Sequence, residues 1–309
     1  MPQMTPASTR LVDPVVTQLA TAYKNEGFVG MQLFPRVTVA TRAGKIPVFD
    51  NSAWQLVNTK HAPGAQIPEV QIQYGTASYS IIDRILNAKI PVELAQEAEA
   101  VPGFNLRALS LQYVQDKISL EIEVEQANLA RNAANYDSAH KLTLAGATRW
   151  TQSTATPIND VKNAKLAVRQ STGTNPNTLI LSEAAYNALT LHQSFVDRVK
   201  YTSSDSVDVT LIAKLFTIPN VFIASSSVKA DDNTTSDVWG TDAVLAFVPK
   251  NGTYLTPAFG YTYCIAGYPY AGPAWWDGET NSWKQGWFDT EEPVLTGMTS
   301  GYLFVAAGS

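Results

Sequence analysis

The chain has 309 residues, of which 45% are hydrophobic and 16% are charged, and its formal net charge is −5 at pH 7. This length allows a substantial buried core, whereas the acidic balance and the scattered basic residues exclude a positively charged groove for gripping nucleic acid. The single cysteine, Cys264, excludes a disulfide framework and a multi-thiolate metal cluster within one chain, and its apolar surroundings predict a buried packing role.

The amino terminus predicts a short arm with one helix. Residues 1–10 lack the basic start and the apolar core of a secretory signal, and no run reaches the roughly 18 apolar residues of a membrane span, so we expect a soluble protein made in the cytosol. After Asp13-Pro14, apolar residues share one helical face, namely Val15, Val16, Leu19, Ala20 and Tyr23. The apolar cluster at 28–35 is too short to form a core of its own and needs a partner surface.

Two strand-like runs follow, and together they predict a long two-stranded loop. The first spans Val37 to Asp50 and the second spans Val70 to Ile82, where apolar residues nearly alternate with polar or small ones. Between them, the polar segment from Asn51 to Pro68 forms the tip. A lone hairpin of this kind is marginal in water, so we expect it to lie on another surface.

The stretch from Asn105 to Tyr136 predicts one long amphipathic helix. It contains no Pro or Gly, and Asn105 can cap its first free backbone N–H groups. Apolar residues recur mostly at three- and four-residue spacings, at Leu111, Val114, Ile118, Ile122, Leu129 and Ala133. Polar residues, Glu123 among them, fill the other faces. The pattern fits either an ordinary core helix or a central spine helix, and only the neighbouring segments can distinguish between the two.

The segment 156–250 predicts a compact α/β unit. Thr156-Pro157 gives an N-cap and a first-turn proline for a helix through Gln170, and Ser182 caps a second helix after a short buried strand. The remaining predicted elements are a helix at Leu211 to Phe216 and strands at Thr178 to Leu181, Asn220 to Ile223 and Ala243 to Val248. The tail from Thr253 to Ala307 is β-rich and aromatic.

This order of elements resembles that of the tailed-phage major capsid proteins with the Hong Kong 97-type fold. Short motifs carry the same resemblance along nearly the whole chain: Ala22 to Val29, Leu33-Phe34-Pro35, Gly44-Lys45, Asn175 to Leu179, Phe195 to Tyr201 and Val238-Trp239-Gly240. The resemblance implies an α+β subunit built from five segments. They are an N-terminal arm at 1–36, an extended loop at 37–87, a peripheral domain at 88–155 with the spine helix 105–136, a mainly axial domain at 156–250, and a β-rich return to the peripheral domain at 251–309.

The function that this resemblance implies is assembly, not catalysis. Hexamers and pentamers of the subunit would close into an icosahedral shell around the double-stranded DNA of a tailed bacteriophage, without sequence-specific DNA binding. We expect a virion protein made in the host cytoplasm, with no cofactor, no metal and no membrane contact. The short arm favours a separate scaffolding protein, or none, over a fused one; portal and decoration proteins are further candidate partners. Candidate intersubunit contacts are Phe28, Phe34, Lys45, Trp54, Lys60, Trp275 and Trp276.

Covalent cross-linking is a second implication of the resemblance. Some members of the family join subunits by an isopeptide bond between Lys and Asn, and here Lys45 or Lys60 would be the donor. Nothing local marks the matching Asn or the catalytic acid. A single band at monomer mass in denaturing electrophoresis of mature particles would exclude the bond.

Motifs for catalysis were not found in the sequence. It has no phosphate-binding Gly-rich loop, no dinucleotide fingerprint and no nucleophile elbow. The three histidines, His61, His140 and His192, are spaced for neither a zinc site nor a triad, so we expect surface or structural roles.

Acidic and aromatic residues in the tail leave other interpretations open. Glu291 and Glu292, with Asp289, could be paired carboxylates or a calcium-binding edge, but we expect solvated acids on a loop before Pro293. The aromatic residues of 268–288 could bind sugar, although packing or an intersubunit contact is favoured. Two alternatives to a phage capsid therefore remain: the shell of an encapsulin-like protein nanocompartment, and a soluble hydrolase or sugar-binding protein.

Overall fold

The computed structural model of the chain describes residues 27–49, 56–60, 67, 69, 74–99, 105–199, 207–250, 252, 256 and 258–309. The predicted arm helix after Asp13 lies outside these residues. The helices are α1 (Gly30–Leu33), α2 (Val92–Glu99), α3 (Leu106–Arg131), α4 (Pro157–Thr172), α5 (Glu183–Leu191), α6 (Gln193–Val199) and α7 (Val209–Phe216). In the part of the chain that is described, no helix combines the length and the apolar character needed to cross a membrane.

Fifteen strands are described, and most of them form two large sheets. In chain order they are β1 (Arg36–Val39), β2 (Ala43–Phe49), β3 (Tyr74–Ser80), β4 (Ile82–Pro91), β5 (Lys141–Thr143), β6 (Thr178–Ser182), β7 (Asn220–Ala224), β8 (Ser227–Lys229), β9 (Thr235–Asp237), β10 (Ala243–Ala246), β11 (Gly260–Ile265), β12 (Tyr270–Ala271), β13 (Trp275–Asp277), β14 (Ser282–Leu295) and β15 (Gly301–Val305). Strands β8 and β9 form a small antiparallel pair of their own.

The two predicted strand runs after the arm pair with each other only in part, because Val37 to Val39 lie in β1, which pairs with β11 instead. Strands β2 and β3 are antiparallel, from Ala43 opposite Ser80 to Phe49 opposite Tyr74, and we call them the hairpin. The second run stops short of the predicted loop boundary at residue 87, because β4 begins at Ile82 and joins the six-stranded sheet instead.

The six-stranded sheet is organised around the long strand β14. On one side, β14 pairs with β4 over ten residues, from Ser282 opposite Pro91 to Glu291 opposite Ile82. On its other side it pairs in succession with β13, β12 and β11, and β1 adds to β11 in parallel. Alternate side chains of such strands point to opposite sides, so one side of β4 and β14 faces α3 and the other side faces away.

Helix α3 begins where the sequence predicts and ends earlier. The Asn105 side chain accepts a hydrogen bond from the Ala108 backbone N at 3.1 Å, which is the predicted cap. The helix stops at Arg131, since Asn132 leaves the helical conformation with φ −71° and ψ 106° and caps a 3-10 turn at Ala133–Asn135 instead. The prediction of one helix through Tyr136 is therefore wrong at its end.

The sheet-facing side of α3 is apolar. Leu111, Val114, Ile118 and Ile122 are buried, as their spacing predicts, and they form one cluster with Trp287 and Ala88 of the six-stranded sheet. The C-terminal half of the helix is also covered on other sides, where Ala127 and Ala130 pack into a second cluster with residues of the five-stranded sheet.

The five-stranded sheet and helices α4 to α7 form the α/β unit, with strand order β5-β15-β10-β6-β7. Ser182 caps α5, with its side-chain oxygen accepting from the Ala185 backbone N at 3.2 Å, as predicted. Thr156 precedes α4 with Pro157 in the first turn, but its side chain makes no capping bond. Strand β15 lies between β5 and β10 in this sheet, so the tail does not return only to the six-stranded sheet, as the segment boundary at 251 implied.

Candidate functional site

A buried arginine ties α3 to both strands of the β4–β14 pair. Arg84 on β4 has a side chain that is only 5% exposed. Its guanidinium donates to Glu121 Oε1 at 2.9 Å and to Glu125 Oε2 at 2.5 Å, both on α3. The same group lies 3.3 Å from Glu292 Oε2 on β14. Because one cation contacts three carboxylates on two elements, it fixes the position of the helix along the sheet.

A second arginine connects β1 with two buried acids of β14. Arg36 Nη2 lies 3.1 Å from Asp289 Oδ2, and Arg36 Nε lies 2.5 Å from Glu291 Oε2. The Glu291 side chain is fully buried, and Glu292 is partly buried against Arg84. The expectation of solvated acids on a loop is therefore wrong, since both glutamates lie within β14, and Pro293 also belongs to that strand.

The electrostatic state of this pair of acids differs from that of exposed carboxylates. Burial above all, and then the nearby charge of Asp289, raise the pKa of Glu291 to about 7, although Arg36 opposes the shift. Burial also raises the pKa of Asp289. Both carboxyls are buried, and both lie within ion-pair distance of Arg36.

Glu123 anchors the start of the described chain to α3. Its two carboxylate oxygens accept from the backbone N of Val29 at 3.0 Å and of Gly30 at 2.8 Å. Its Oε1 also accepts from Trp239 Nε1, at 2.7 Å. The sequence pattern predicts Glu123 on a polar face of the helix, but it is buried, and burial raises its pKa against the effect of these hydrogen bonds.

The close approach at this anchor requires glycine. A Cβ atom on Gly30 would lie 2.1 Å from Gln126 Oε1 and 2.7 Å from Glu123 Oε2. A side chain there would separate the arm from α3, so the anchor depends on a residue without one.

Aromatic residues line the β12–β13–β14 edge of the six-stranded sheet. Trp275 is 42% exposed and Trp276 is 44% exposed, and the Trp276 ring meets Trp283 at 5.4 Å between centroids. Tyr270 and Phe288 stack at 4.9 Å with nearly parallel rings. The two predicted contact tryptophans therefore present apolar surface to the outside of the subunit.

The other predicted contact residues are spread over the hairpin and the arm. Lys45 and Lys60 are exposed, and Phe28 is partly buried. Trp54 lies outside the described residues. Phe34 is completely buried and packs on Phe259, with ring centroids 5.5 Å apart. Its side chain contacts its own subunit, so Phe34 is not available as an intersubunit contact in this conformation.

The remaining predicted residues have packing roles where they are described. Cys264 is buried in β11, as predicted, and its Sγ lies 3.6 Å from the Val37 carbonyl oxygen. His140 Nδ1 lies 2.7 Å from Asp137 Oδ1, which indicates a structural role, and His192 is also buried. His61 lies outside the described residues, and within them no group of three or more His, Cys, Asp or Glu residues could hold a metal ion.

Sequence reasoning missed Arg84 and Glu123, although one of them left a signal. Arg84 precedes the buried Ala88 and Ile90 by four and six residues, so all three lie in the same alternating phase of β4. A charged residue in the buried phase of a strand implies a buried partner. Glu123 left no such signal, because its partners, two backbone N–H groups and the Trp239 indole, are far away in the chain.

Three comparisons with known proteins give a consistent result. The family model described as phage major capsid protein E matches residues 125–285. The chain is 29% identical over 299 residues to the major capsid protein of Burkholderia phage BcepMu, covering 95% of this chain and 96% of that protein. A phage-related protein of Bordetella bronchiseptica RB50 has a crystal structure with a TM-score of 0.84 and 36% sequence identity, covering 97% of this chain and 99% of that one.

A more distant solved structure extends the likeness of fold. The capsid of cyanophage P-SCSP1u aligns with a TM-score of 0.57 at 11% identity, over 93% of this chain and 90% of that one. At this level of identity the likeness concerns the fold alone, which is mixed α/β as expected. The relatives of higher identity carry phage names, so they give no support to the nanocompartment alternative.

Proposed function

We propose that this chain, which belongs to the phage major capsid protein E family, assembles as hexamers and pentamers into an icosahedral head around double-stranded DNA. As a capsid protein it is a structural component of the virion. The observation that carries the proposal is the near full-length likeness to the major capsid protein of phage BcepMu. A shell of this kind needs many modest contacts per subunit and no catalytic site.

In this proposal the two sheets have different places in the shell. The six-stranded sheet with α3 is the peripheral domain, and the α/β unit is the axial domain near the symmetry axes. Strand pairing supports a division by sheets instead of by continuous segments, because β5 and β15 both lie in the five-stranded sheet. The axial domain is then built from 137–250 together with 296–309.

The hairpin extends over a neighbouring subunit. Its two strands form a sheet of their own, which supports a projecting element. Leu56 and Ile67, which lie between its two strands in the chain, are 97% and 71% exposed, so both apolar side chains are left for a partner. The receiving surface lies on the next subunit, at the β12–β13–β14 edge of its six-stranded sheet, where Trp275 and Trp276 offer complementary apolar area. Lys45, Lys60 and Trp54 complete the hairpin side of the contact, and Phe28 lies where the arm enters the subunit.

The shell encloses DNA as a wall and does not read its sequence. The net charge of −5 supports this, since a protein that grips phosphates by counterion release needs a basic surface. The further partners proposed are a separate scaffolding protein, a portal and decoration proteins.

Size-exclusion chromatography and negative-stain electron microscopy of the purified protein test the assembly. The full chain is expected to give closed shells or capsomer-sized rings, and a variant lacking 51–68 is expected to fold but not to close shells. The control is urea unfolding of both proteins, which should show the same midpoint because the deletion removes only the hairpin tip. Normal shells from the deletion variant would contradict the role given to the hairpin.

A further inference from the structure

Helix α4 carries a row of cations on its outer side. Lys162, Lys165 and Arg169 follow one another at spacings of three and four residues, so they share one face of the helix. Lys162 and Arg169 are exposed, and Lys165 is half-buried. The acid in the first turn of α4, Asp160, is directed elsewhere, because its Oδ2 accepts a hydrogen bond from Trp150 Nε1 at 3.1 Å. We call Lys162, Lys165 and Arg169 the basic stripe.

The neighbouring helix α7 holds one member of the basic stripe and adds a further cation. Lys165 Nζ donates to two backbone carbonyl oxygens where α7 ends, at 3.0 Å each. Lys214 lies in the last turn of α7 and is exposed. Burial, and then the charge of Lys162, lower the pKa of Lys165, which places these two cations close together. Lys162, Arg169 and Lys214 form no ion pair with any other residue that the structure describes.

An acidic turn lies on the opposite side of the five-stranded sheet. Helix α4 packs on one side of this sheet, where Val161 and Leu245 belong to the same apolar cluster. Strand β8 packs on the other side, where Val228 contacts the cluster that contains Val244. The turn between β8 and β9 carries Asp231-Asp232, both of them exposed, and we call it the acidic turn. The basic stripe and the acidic turn therefore cannot meet within one subunit.

The two surfaces match in charge and in length. Residues 227–237 contain three Asp and one Lys, and the third acid, Asp237, is also exposed. The rise of a strand places Asp237 about 10 Å from the acidic turn, and the rise of a helix gives about 10 Å between Lys162 and Arg169. Single ion pairs on a surface are weak, but complementary patches steer association and select one register between partners.

We propose that the basic stripe of one subunit docks against the acidic turn of a second copy of this chain, its neighbour around a capsomer. The proposal rests on the assembly into hexamers and pentamers proposed above. In a closed ring each subunit meets its two neighbours through two different surfaces, and these surfaces must be complementary. The opposite sides of the α/β unit supply one cationic and one anionic surface of this kind.

Two charge-reversal variants of the full chain test the pairing. The stripe variant is Lys162→Glu with Arg169→Glu, and it leaves Lys165 in place because that side chain holds the end of α7. The turn variant is Asp231→Lys with Asp232→Lys. All four substituted positions are exposed, so both variants should keep the urea midpoint of the parent protein. Each variant alone brings like charges together at every contact of a ring, so at low salt we expect rings to require at least about a tenfold higher subunit concentration in size-exclusion chromatography.

Combining the changes separates charge pairing from general damage to the surface. A chain with all four substitutions has an anionic stripe and a cationic turn, so it is expected to recover the rings and shells of the parent protein. An equimolar mixture of the stripe variant and the turn variant can alternate around a ring of six without any like-charged contact. A ring of five leaves at least one such contact. The mixture is therefore expected to give hexamers but no closed shells in negative-stain electron microscopy.

The parent protein is the reference for assembly itself. If it forms neither rings nor shells, the proposed function fails and this inference falls with it. If the parent protein assembles and both reversal variants form rings at the same concentration, only the inference is overturned. Failure of the chain with all four substitutions to recover rings also overturns it. Normal rings from the stripe variant, with weaker retention of labelled double-stranded DNA, would overturn it by showing that the stripe faces DNA instead.

Discussion

The two sheets of the molecule bury different kinds of side chain. The α/β unit packs a large apolar cluster, with Leu181, Leu245 and Phe304 among its fully buried residues. The region between α3 and the six-stranded sheet adds charged groups to its apolar cluster, including Arg84 and Glu291. Both regions belong to one capsid subunit, but the first is held together mainly by apolar packing, whereas the second combines apolar packing with buried ion pairs.

These two kinds of interaction contribute differently: apolar burial stabilises the fold, whereas buried ion pairs fix the positions of helices and strands relative to one another. Apolar burial stabilises a core without specifying direction, so the α/β unit owes its stability to area and packing. A buried ion pair contributes little net stability, because desolvation offsets its attraction, but breaking one is costly since a charge is left without a partner. The network of Arg36 and Arg84 therefore holds α3, β1 and β14 in one register, at the cost of sensitivity to pH.

The largest effect is expected from a charge placed in the apolar cluster of the α3 region. Ile118 lies in its apolar cluster, 4% exposed. Ile118→Asp is expected to cost at least about 4 kcal/mol and to abolish folding, because the new carboxylate would lie within the apolar cluster and lose its hydration. Circular dichroism of the purified protein measures the loss. The control is Lys117→Asp at the adjacent exposed position, which should fold normally; equal behaviour of the two variants would contradict the distinction.

Removal of the Arg84 guanidinium is expected to have the next largest effect on stability. Arg84→Met keeps much of the side-chain volume but leaves Glu121, Glu125 and Glu292 without their shared partner. The expected loss is about 3 kcal/mol in the free energy of unfolding near pH 7.5, measured by urea titration. The loss should shrink below pH 5, where the carboxylates take up protons. A pH-independent loss would show that packing, and not charge, explains the role of Arg84.

A pH titration measures the contribution of Glu291 to stability. Because the pKa of Glu291 is raised from 4.5 to about 7 in the folded protein, the folded state holds its proton more tightly than the unfolded state. Its contribution to stability is therefore present at low pH and is lost as the pH rises through 7. Glu291→Gln removes this dependence, so the variant should gain about 2 kcal/mol relative to the parent protein between pH 5 and pH 8. Parallel stability curves for the two proteins would contradict the raised pKa.

Paired helix caps give the smallest effect and compare the two regions on equal terms. Asn105 caps α3 in a solvent-exposed position, whereas Ser182 caps α5 in the buried part of the α/β unit. Replacing either by Ala should cost about 1 kcal/mol in urea unfolding, with the greater loss at Ser182, where the freed N–H of Ala185 cannot turn to water. A greater loss of unfolding free energy at Asn105 than at Ser182 would contradict the larger effect expected for a buried cap.

Local signals in the sequence predicted most helices and strands, but they did not predict charge pairs between residues that are far apart in the chain. The caps at Asn105 and Ser182 and the buried stripe around Ile118 follow from spacing and residue type, which act within a few residues. Glu291 was misread because its cation, Arg36, lies more than 250 positions earlier in the chain, and nothing near Glu291 indicates burial. The end of α3 was misread for a local reason, since Asn132 caps the next turn and so competes with continuation of the helix.

The position of β15 sets the order in which the subunit can be completed. This strand is the last of its sheet to be translated, yet it lies between β5 and β10 and supplies hydrogen bonds to both. While the ribosome is still making residues 301–305, β5 has no neighbour in the sheet and β10 has a vacant edge. The sheet of the α/β unit is therefore completed only after β15, which follows the other four strands in the chain, has been synthesised.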